Sequence, residues 1–210
     1  MFTGIVQGMA TVESVQAKGD IVTWSVRFPS GALSGVSQGA SISLDGCCLT
    51  VTGLFADDKA TFDLVPETIA RTSFKDIRPG SILNYERSLR FGDEVGGHVL
   101  SGHVDFVAQV VSVQELGESR VVVFQCPVEW TRYLFTKGYI ALNGASLTLT
   151  VVERGRGQFS VSLIPETLAK TTFGNAKPGG NINVEIDRST QAIVETVERV
   201  MREMGEPLPK

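Results

Sequence analysis

The sequence predicts an all-β protein made of two tandem copies of one small β-barrel, followed by an amphipathic α-helix. Three observations lead to this fold class. The chain repeats itself at a period of about one hundred residues, its apolar segments are short and β-like, and only its last segment has a long helical pattern. A repeat of that length is the size of a small domain and is too long for a solenoid unit. We therefore expect two similar domains with two similar pockets.

The repeat is clearest around the motif Gly-x-x-Leu-Thr, which occurs in both halves. A shift of 98 positions aligns residues 42–52 with 140–150, and a shift of 99 aligns 64–74 with 163–173. A single one-residue insertion therefore reconciles the halves. We place the boundary near residues 92–97, where glycines flank two acidic residues. The expected domains are an N-terminal barrel (1–97), a C-terminal barrel (98–188), and a helix with its tail (189–210).

Each half contains short segments that are typical of half-buried strands. They are rich in Val, Ile, Phe and Thr, and several alternate in polarity. The predicted strands are residues 40–44, 61–65, 82–85, 120–124, 140–142 and 158–163. Asn-Gly, Asp-Gly and Pro-Gly pairs between them suit tight turns. Many short strands at near-even spacing favour a closed barrel or a sandwich in each half, because closure removes exposed strand edges.

Three helical segments are expected. Residues 66–71 and 165–170 begin with proline, which suits the first turn of a helix. From residue 189 or 190 to Met204, apolar residues recur at spacings of three and four, and Gly205 stands where the helix would end. This last helix either packs on its own barrel or joins copies of the chain. We favour the second interpretation, since both barrels are complete without it.

Composition limits the partners. The chain has 210 residues, 42% of them apolar, which is enough to bury two modest cores. Its net charge is −4 and it has no run of Lys or Arg, so nucleic acid and anionic membranes are poor partners. No segment predicts a signal peptide or a membrane span, and we expect a soluble cytoplasmic protein with a small-molecule ligand. We expect three free thiols, and no metal, because the His and Cys spacings match no zinc site.

We expect chemistry where the two halves differ. His103 aligns with Ile5, so a side chain that titrates near neutral pH stands in only one of two similar pockets. The other histidine, His98, is interpreted as a structural residue, because a lone histidine more often serves as a hydrogen-bonding group than as a catalyst.

The adjacent cysteines mark a second difference. Cys47 and Cys48 align with Ala145 and Ser146, which makes a thiol pocket and a hydroxyl pocket from one template. For Cys47 the alternative is equally strong: a cysteine can fill a small strand position as a mild hydrophobe.

Several motifs together resemble riboflavin synthase, the α-type chain. They are Met-Phe-Thr-Gly-Ile-Val-Gln-Gly at 1–8, Gly-Gly-His-Val-Leu-Ser-Gly-His at 96–103, Pro-Glu-Thr-Leu-Ala-Lys-Thr-Thr at 165–172 and Gln-Ala-Ile-Val-Glu-Thr-Val-Glu-Arg-Val at 191–200. The resemblance runs from residue 1 to about residue 204. It implies two six-stranded Greek-key barrels related by pseudo-twofold symmetry, a C-terminal helix that joins three chains into a homotrimer, and no bound cofactor.

The resemblance also implies a reaction. Two molecules of 6,7-dimethyl-8-ribityllumazine exchange a four-carbon unit and give riboflavin and 5-amino-6-ribitylaminouracil. Two copies of one substrate in opposite roles need two similar pockets that differ in a few reactive groups, and the repeat supplies them. A lumazine synthase shell as a partner stays open. The competing interpretation is a non-catalytic relative from luminous bacteria that holds lumazine or flavin; the retained cysteine pair and Ser-Gly-His stretch favour catalysis.

The site residues that the resemblance implies form two sets. The first set belongs to the first barrel: Gly4, Ile5, Val6, Cys48, Leu49, Thr50, Asp63, Leu64, Val65, Pro66, Glu67 and Thr68. The second set comes from the second barrel of a neighbouring chain: Gly102, His103, Val104, Lys137, Ser146, Leu147, Thr148, Ser162, Leu163, Ile164, Pro165, Glu166 and Thr167.

We expect five of the implied residues to take part in the chemistry. His103 helps to remove a proton from the C7 methyl group of one lumazine. Ser146 and Thr148 hold or hydrate the second ring, and Cys48 shapes the first-barrel pocket and tunes its electrophilic carbon. Asp187, which aligns with Ser88 of the first half, is a further candidate for orienting the reactants.

Overall fold

The computed structural model describes residues 1–205, in which each half has the same order of elements. The first half contains β1 (Gly8–Lys18), β2 (Ile21–Arg27), β3 (Ser41–Leu44), β4 (Cys47–Phe55), β5 (Lys59–Leu64), α1 (Pro66–Arg71) and β6 (Ile82–Arg87). The second half contains β7 (Phe106–Leu116), β8 (Ser119–Gln125), β9 (Tyr139–Leu142), β10 (Ala145–Glu153), β11 (Gln158–Leu163), α2 (Pro165–Lys170) and β12 (Asn181–Ile186). The helix α3 (Arg188–Glu203) follows.

Each half closes into a six-stranded antiparallel barrel. The strands pair in the order β1-β2-β5-β4-β3-β6 in the first half, and the second half has the equivalent cyclic order β7-β8-β11-β10-β9-β12. The predicted fold class is confirmed. The pattern of β5 shows why these segments form strands: Ala60, Phe62 and Leu64 are fully buried, while Asp63 between them is exposed, as the period of two requires.

The one-residue insertion between the repeats lies in one hairpin. β4 ends at Phe55 and β5 begins at Lys59, which leaves residues 56–58 in the loop. β10 ends at Glu153 and β11 begins at Gln158, which leaves residues 154–157. Element bounds differ by 98 before this hairpin and by 99 after it, because a surface loop absorbs an extra residue without disturbing the barrel.

The barrels meet through hydrogen bonds of two equivalent asparagines. Asn84 Nδ2 donates to the carbonyl oxygen of Asn143 at 3.0 Å, and Asn84 Oδ1 accepts from the backbone N of Thr172 at 2.8 Å. Asn183 Nδ2 donates to the carbonyl oxygen of Asp45 at 2.9 Å. Both asparagines are 1% exposed, so each half satisfies buried polar groups of the other.

The helix α3 begins at Arg188, one residue before the predicted start. Asp187 caps it, since Asp187 Oδ2 accepts from the backbone N and the Oγ1 of Thr190 at 2.8 and 2.7 Å. Hydrogen bonds attach the middle of the helix to the second barrel: Tyr133 OH donates to Glu195, and Arg132 donates to Glu198.

The face of α3 that the sequence predicts to be apolar is open to solvent in the single chain. Its residues are exposed by 43 to 70%: Ile193, Val197, Val200 and Met204. Among residues 1–205, no helix has the length and apolar content that crossing a membrane requires.

Candidate functional site

Two short segments cross between the barrels and form part of the site. We call residues 2–6 the first strap and residues 100–104 the second strap; they are equivalent in the repeat. The straps run antiparallel, because Phe2 N donates to Leu100 O at 2.9 Å and Leu100 N donates to Phe2 O at 3.0 Å. Each strap precedes the first strand of its own half.

A buried glutamate fixes each strap. Glu86 of β6 accepts from the N and Oγ1 of Thr3 at 2.6 and 2.7 Å and from the N of Gly4 at 3.0 Å. Glu185 of β12 accepts in the same way from Ser101, at 2.7 Å from both N and Oγ, and from the N of Gly102 at 2.9 Å. Both carboxylates are 3% exposed. Burial raises the pKa of Glu86, although the hydrogen bonds from Thr3 and Gly4 oppose the rise.

Each strap then docks on the other barrel. The backbone N of Ser146 donates to Gly4 O at 2.8 Å, and that of Cys48 donates to Gly102 O at 2.8 Å. Gly4 has φ +75° and Gly102 has φ +79°. A Cβ at either glycine would lie 2.5 Å from the Cβ of Ser146 or Cys48, so both positions require glycine.

The first-barrel pocket is a cavity of about 260 Å³ at the junction of β4, α1 and the second strap. It is lined by Cys47, Cys48, Val65, Glu67, Thr68, Arg71, Thr72, Gly102, His103 and Val104. His103 is exposed on its rim and Cys48 is half-buried.

The second-barrel pocket is the equivalent cavity, of about 200 Å³, at the junction of β10, α2 and the first strap. It is lined by Gly4, Ile5, Val6, Ala145, Ser146, Leu147, Glu166, Thr167, Lys170 and Thr171.

The grouping of strap residues expected from the sequence is therefore wrong. Gly4, Ile5 and Val6, which are expected in the pocket of Cys48, lie against Ser146. Residues 102–104, which are expected in the pocket of Ser146, lie against Cys48. The reason is long-range: each strap is held by the glutamate of its own barrel and reaches across to the other barrel, which sequence proximity does not reveal.

Several expected site residues line neither cavity of the single chain. The side chains of Leu49, Leu64 and Leu163 lie in the barrel cores, so only their backbone can meet a ligand. The others are exposed on the barrels: Thr50, Asp63, Pro66, Lys137, Thr148, Ser162, Ile164 and Pro165. Asp187 caps α3, as described above.

Each pocket also contains a basic residue that the sequence motifs do not indicate. Arg71 ends α1 and pairs with Glu67 at 3.1 Å, and Lys170 ends α2 and pairs with Glu166 at 2.7 Å. These two basic residues occupy equivalent repeat positions, which was a usable signal. All four side chains are largely exposed, so the pairs are weak and their charges are accessible to a ligand.

His98, which the sequence analysis interprets as a structural residue, lies against the second-barrel pocket. It is buried, and its Nδ1 lies 2.7 Å from Ser146 Oγ in the second-barrel pocket. Burial lowers the pKa of His98, and the charge of Asp187 opposes this effect. Burial also raises the pKa of Asp187, but hydrogen bonds from Thr190 and the charge of His98 hold it below its ordinary value.

The two cysteines of the first barrel differ in environment. Burial, with a smaller effect from the charges of Cys48 and Glu185, raises the pKa of Cys47 to about 12, so this thiol stays protonated and inert at neutral pH. Cys48 is half-buried and lines the pocket. Within residues 1–205, no three His, Cys, Asp or Glu side chains form a group that could hold a metal ion.

The comparisons with known proteins agree with this duplicated architecture. The lumazine binding domain family matches residues 3–88 and again residues 101–187. Riboflavin synthase of Escherichia coli (strain K12) is 43% identical over 202 residues, which cover 96% of this chain and 93% of that protein. The chain belongs to the riboflavin synthase family. The riboflavin synthase of Chlamydia pneumoniae is 38% identical over 205 residues, covering 98% and 99% of the two chains.

This riboflavin synthase family member also shares its fold with LumP. The crystal structure of LumP complexed with riboflavin has a TM-score of 0.82 at 26% identity and covers 90% of this chain and 100% of that chain. LumP complexed with 6,7-dimethyl-8-(1'-D-ribityl)lumazine has a TM-score of 0.80 at 24% identity, with the same coverage.

Proposed function

We propose that this riboflavin synthase holds one molecule of 6,7-dimethyl-8-ribityllumazine in each type of pocket. A four-carbon unit passes from one molecule to the other, and the products are riboflavin and 5-amino-6-ribitylaminouracil. The observation that carries the proposal is the pair of equivalent pockets with unlike reactive groups. The first-barrel pocket has Cys48 and His103, and the second-barrel pocket has Ser146 and Ile5 at the equivalent positions.

We further propose that the reacting pockets face each other across two chains of a homotrimer. The exposed apolar face of α3 supports this arrangement, since a partner helix would cover it. The expected site residues that lie outside the cavities also support it. Thr50 and Thr148 are exposed in the single chain and would meet ligand only after a second barrel closes the site.

Holding two rings face to face supplies much of the rate in this proposal. Orientation of two reactants can correspond to an effective molarity of about 10⁵ M or more in favourable models. The residues then have limited tasks. His103 takes a proton from the C7 methyl group of one lumazine, and Cys48 shapes the first-barrel pocket. Ser146 and Thr148 hold the ring of the other lumazine. Asp187 helps to orient the reactants through its charge. We expect this chemistry in the cytoplasm.

The deciding experiment is incubation of the purified protein with 6,7-dimethyl-8-ribityllumazine, followed by absorbance. Steady turnover with one riboflavin formed for two lumazines consumed supports the proposal. The alternative function, a lumazine-holding protein, is suggested by the fold shared with LumP. Tight binding with bright emission and no product would establish that alternative and reject catalysis.

The role of His103 is tested by His103→Gln, because glutamine can form a hydrogen bond but does not titrate near neutral pH. We expect turnover to fall about 100-fold, the lower end for loss of a general base, with lumazine still bound. Steady-state kinetics and a fluorescence titration measure the two quantities. A His103→Gln protein with wild-type turnover would remove His103 from proton transfer.

A further inference from the structure

His98 lies directly behind Ser146 and is buried against the second-barrel pocket. It is 7% exposed, and its ring stacks on Tyr139 with the centroids 5.2 Å apart and the planes at 17°. Its backbone N donates to Thr3 O at 3.1 Å, which ties it to the first strap. The imidazole is therefore fixed in position and in plane, with Nδ1 2.7 Å from Ser146 Oγ.

The environment of the second ring nitrogen, Nε2, determines whether the Ser146 hydroxyl accepts a hydrogen bond from His98 or donates one to it. Nε2 of His98 is buried and has no hydrogen-bond partner among the residues that the structure describes. Because burial lowers the pKa of His98, the ring is neutral at pH 7 and carries one N–H. An unpaired buried N–H is rarer than an unpaired acceptor, so the proton belongs on Nδ1, where it is hydrogen-bonded.

We propose that His98 is the positioning residue for Ser146 and converts its hydroxyl into a hydrogen-bond donor aimed at the lumazine in the second-barrel pocket. Nδ1–H donates to Ser146 Oγ and occupies one of its lone pairs, so the hydroxyl hydrogen is left for the ligand. This inference rests on the proposed function, since it takes Ser146 to face a bound lumazine.

The aimed hydroxyl gives the second-barrel pocket a property that the first-barrel pocket lacks. A fixed donor stabilises negative charge that develops on a ring, and it does so without reorganising during the reaction. The equivalent position in the first-barrel pocket is Cys48, whose thiol is a weak donor. The ring beside Ser146 receives negative charge when the deprotonated methyl group of the other lumazine attacks it, and the aimed hydroxyl stabilises that charge.

The titratable side chains against His98 come from two elements. Tyr139 of β9 stacks on the ring, and Asp187 at the start of α3 acts on it through its charge. Neither forms a hydrogen bond with Nε2 in residues 1–205. The hydrogen bond to Ser146 is thus the contact through which a substitution of His98 should reach the pocket.

The test compares His98→Phe, His98→Asn, Ser146→Ala and the double variant His98→Phe with Ser146→Ala. Phenylalanine keeps the stacking on Tyr139 but removes the donor, whereas the asparagine Nδ2 can stand where Nδ1 stands. We expect kcat to fall about tenfold in His98→Phe, as for the loss of one hydrogen bond, and to recover most of its value in His98→Asn. The double variant should be no slower than Ser146→Ala, because His98 acts through that hydroxyl.

A spectroscopic measurement keeps the test independent of turnover. A donor on the ring shifts the absorbance of bound riboflavin, so the shift should be reduced equally in His98→Phe and Ser146→Ala and retained in His98→Asn. If the wild-type protein binds riboflavin but makes none from lumazine, the proposed function fails and the spectra alone decide this inference. The inference would be overturned if His98→Phe had the spectrum and kcat of the wild type. It would also be overturned if the fold losses of kcat in His98→Phe and Ser146→Ala multiplied in the double variant, because His98 would then act independently of Ser146.

Discussion

Glu86 and Glu185 show how single residues set the geometry of a pocket that they do not line. Each carboxylate accepts three hydrogen bonds from a strap, and each strap lines a pocket in the other barrel. Burying a carboxylate costs free energy unless it is paired or hydrogen-bonded. The glutamate therefore holds the strap in place, and the strap supplies the hydrogen bonds that allow the glutamate to be buried. The sequence contained a signal for them, since both stand in an Asn-x-Glu pattern at equivalent positions of an apolar strand.

Replacing Glu86 by glutamine should loosen the first strap. Glutamine keeps the size but offers a single acceptor oxygen, so part of the three hydrogen bonds from Thr3 and Gly4 is lost. We expect amide exchange in residues 2–6 to become about tenfold faster, as for the loss of one hydrogen bond, and turnover to fall. Hydrogen exchange with mass spectrometry measures the first effect.

The matched control is Glu185→Gln, which should accelerate exchange in residues 100–104 and leave residues 2–6 as in the wild type. If Glu86→Gln loosened only the second strap, the assignment of each glutamate to its own strap would be wrong.

Among the elements, α3 connects the expected chain interface with the first-barrel pocket. Arg188 at its start donates from Nη2 to His103 O at 2.7 Å and from Nη1 to Asp105 Oδ1 at 2.9 Å. The same helix carries the exposed apolar face. The element that would join the chains therefore also holds the backbone of His103.

A charge on the apolar face of α3 should dissociate the oligomer. Val197 is 46% exposed in the single chain, so Val197→Glu costs the isolated barrels little but places a carboxylate in the proposed helix contact. We expect a monomer in sedimentation or gel filtration, with an unchanged far-UV spectrum and low turnover.

Arg199→Glu is the control for Val197→Glu, since it adds a glutamate on the opposite side of the same helix. An oligomer that survives Val197→Glu unchanged would show that α3 does not form the contact.

Local patterns predicted the elements better than they predicted the site. β11 begins and ends where the sequence places it, and β3, β5, β6, β8 and β9 agree within one or two residues. These strands follow from alternation and turn residues, which are local. The exchange of straps and the hydrogen bond between His98 and Ser146 join residues that are far apart in sequence. No periodicity reports such contacts, so the sequence alone does not indicate that His98 reaches Ser146.

At the scale of the whole molecule, the barrels are joined by a contact that is almost symmetric. The exception is Asp45, which aligns with Asn143. Asp45 Oδ1 accepts from Asn84 N at 2.8 Å, and Asn143 Oδ1 accepts from Asn183 N at 2.8 Å. Burial raises the pKa of Asp45 to about 7 from 3.8, so the junction of the barrels contains a carboxyl group that is easier to bury when protonated.

This raised pKa predicts that acid stabilises the junction. The folded form retains the proton of Asp45 up to about pH 7, whereas the unfolded chain releases it near pH 4. The free energy of unfolding should therefore fall as pH rises from about 4 to about 7. Between pH 5 and pH 8 we expect the ionisation of Asp45 to lower the free energy of unfolding by at least about 1 kcal/mol, roughly the equivalent of one pKa unit. Urea denaturation at several pH values measures this change.

Asp45→Asn should remove that contribution, because asparagine already serves in the equivalent position of the second half. Asp57→Asn, in an exposed turn, is the control and should keep the wild-type dependence on pH. Equal pH dependence in the wild type and in Asp45→Asn would show that Asp45 is ionised in the folded protein.

The strap exchange also governs how this chain can be recombined with its relatives. A chimera joined at residues 92–97 would inherit each barrel whole from one parent, yet both pockets would be hybrids, because each contains a strap from the other parent. To transmit one parental first-barrel pocket, residues 100–104 must come from the same parent as residues 8–87. Inheritance of a pocket therefore follows the folded contacts and not the order of the two halves along the gene.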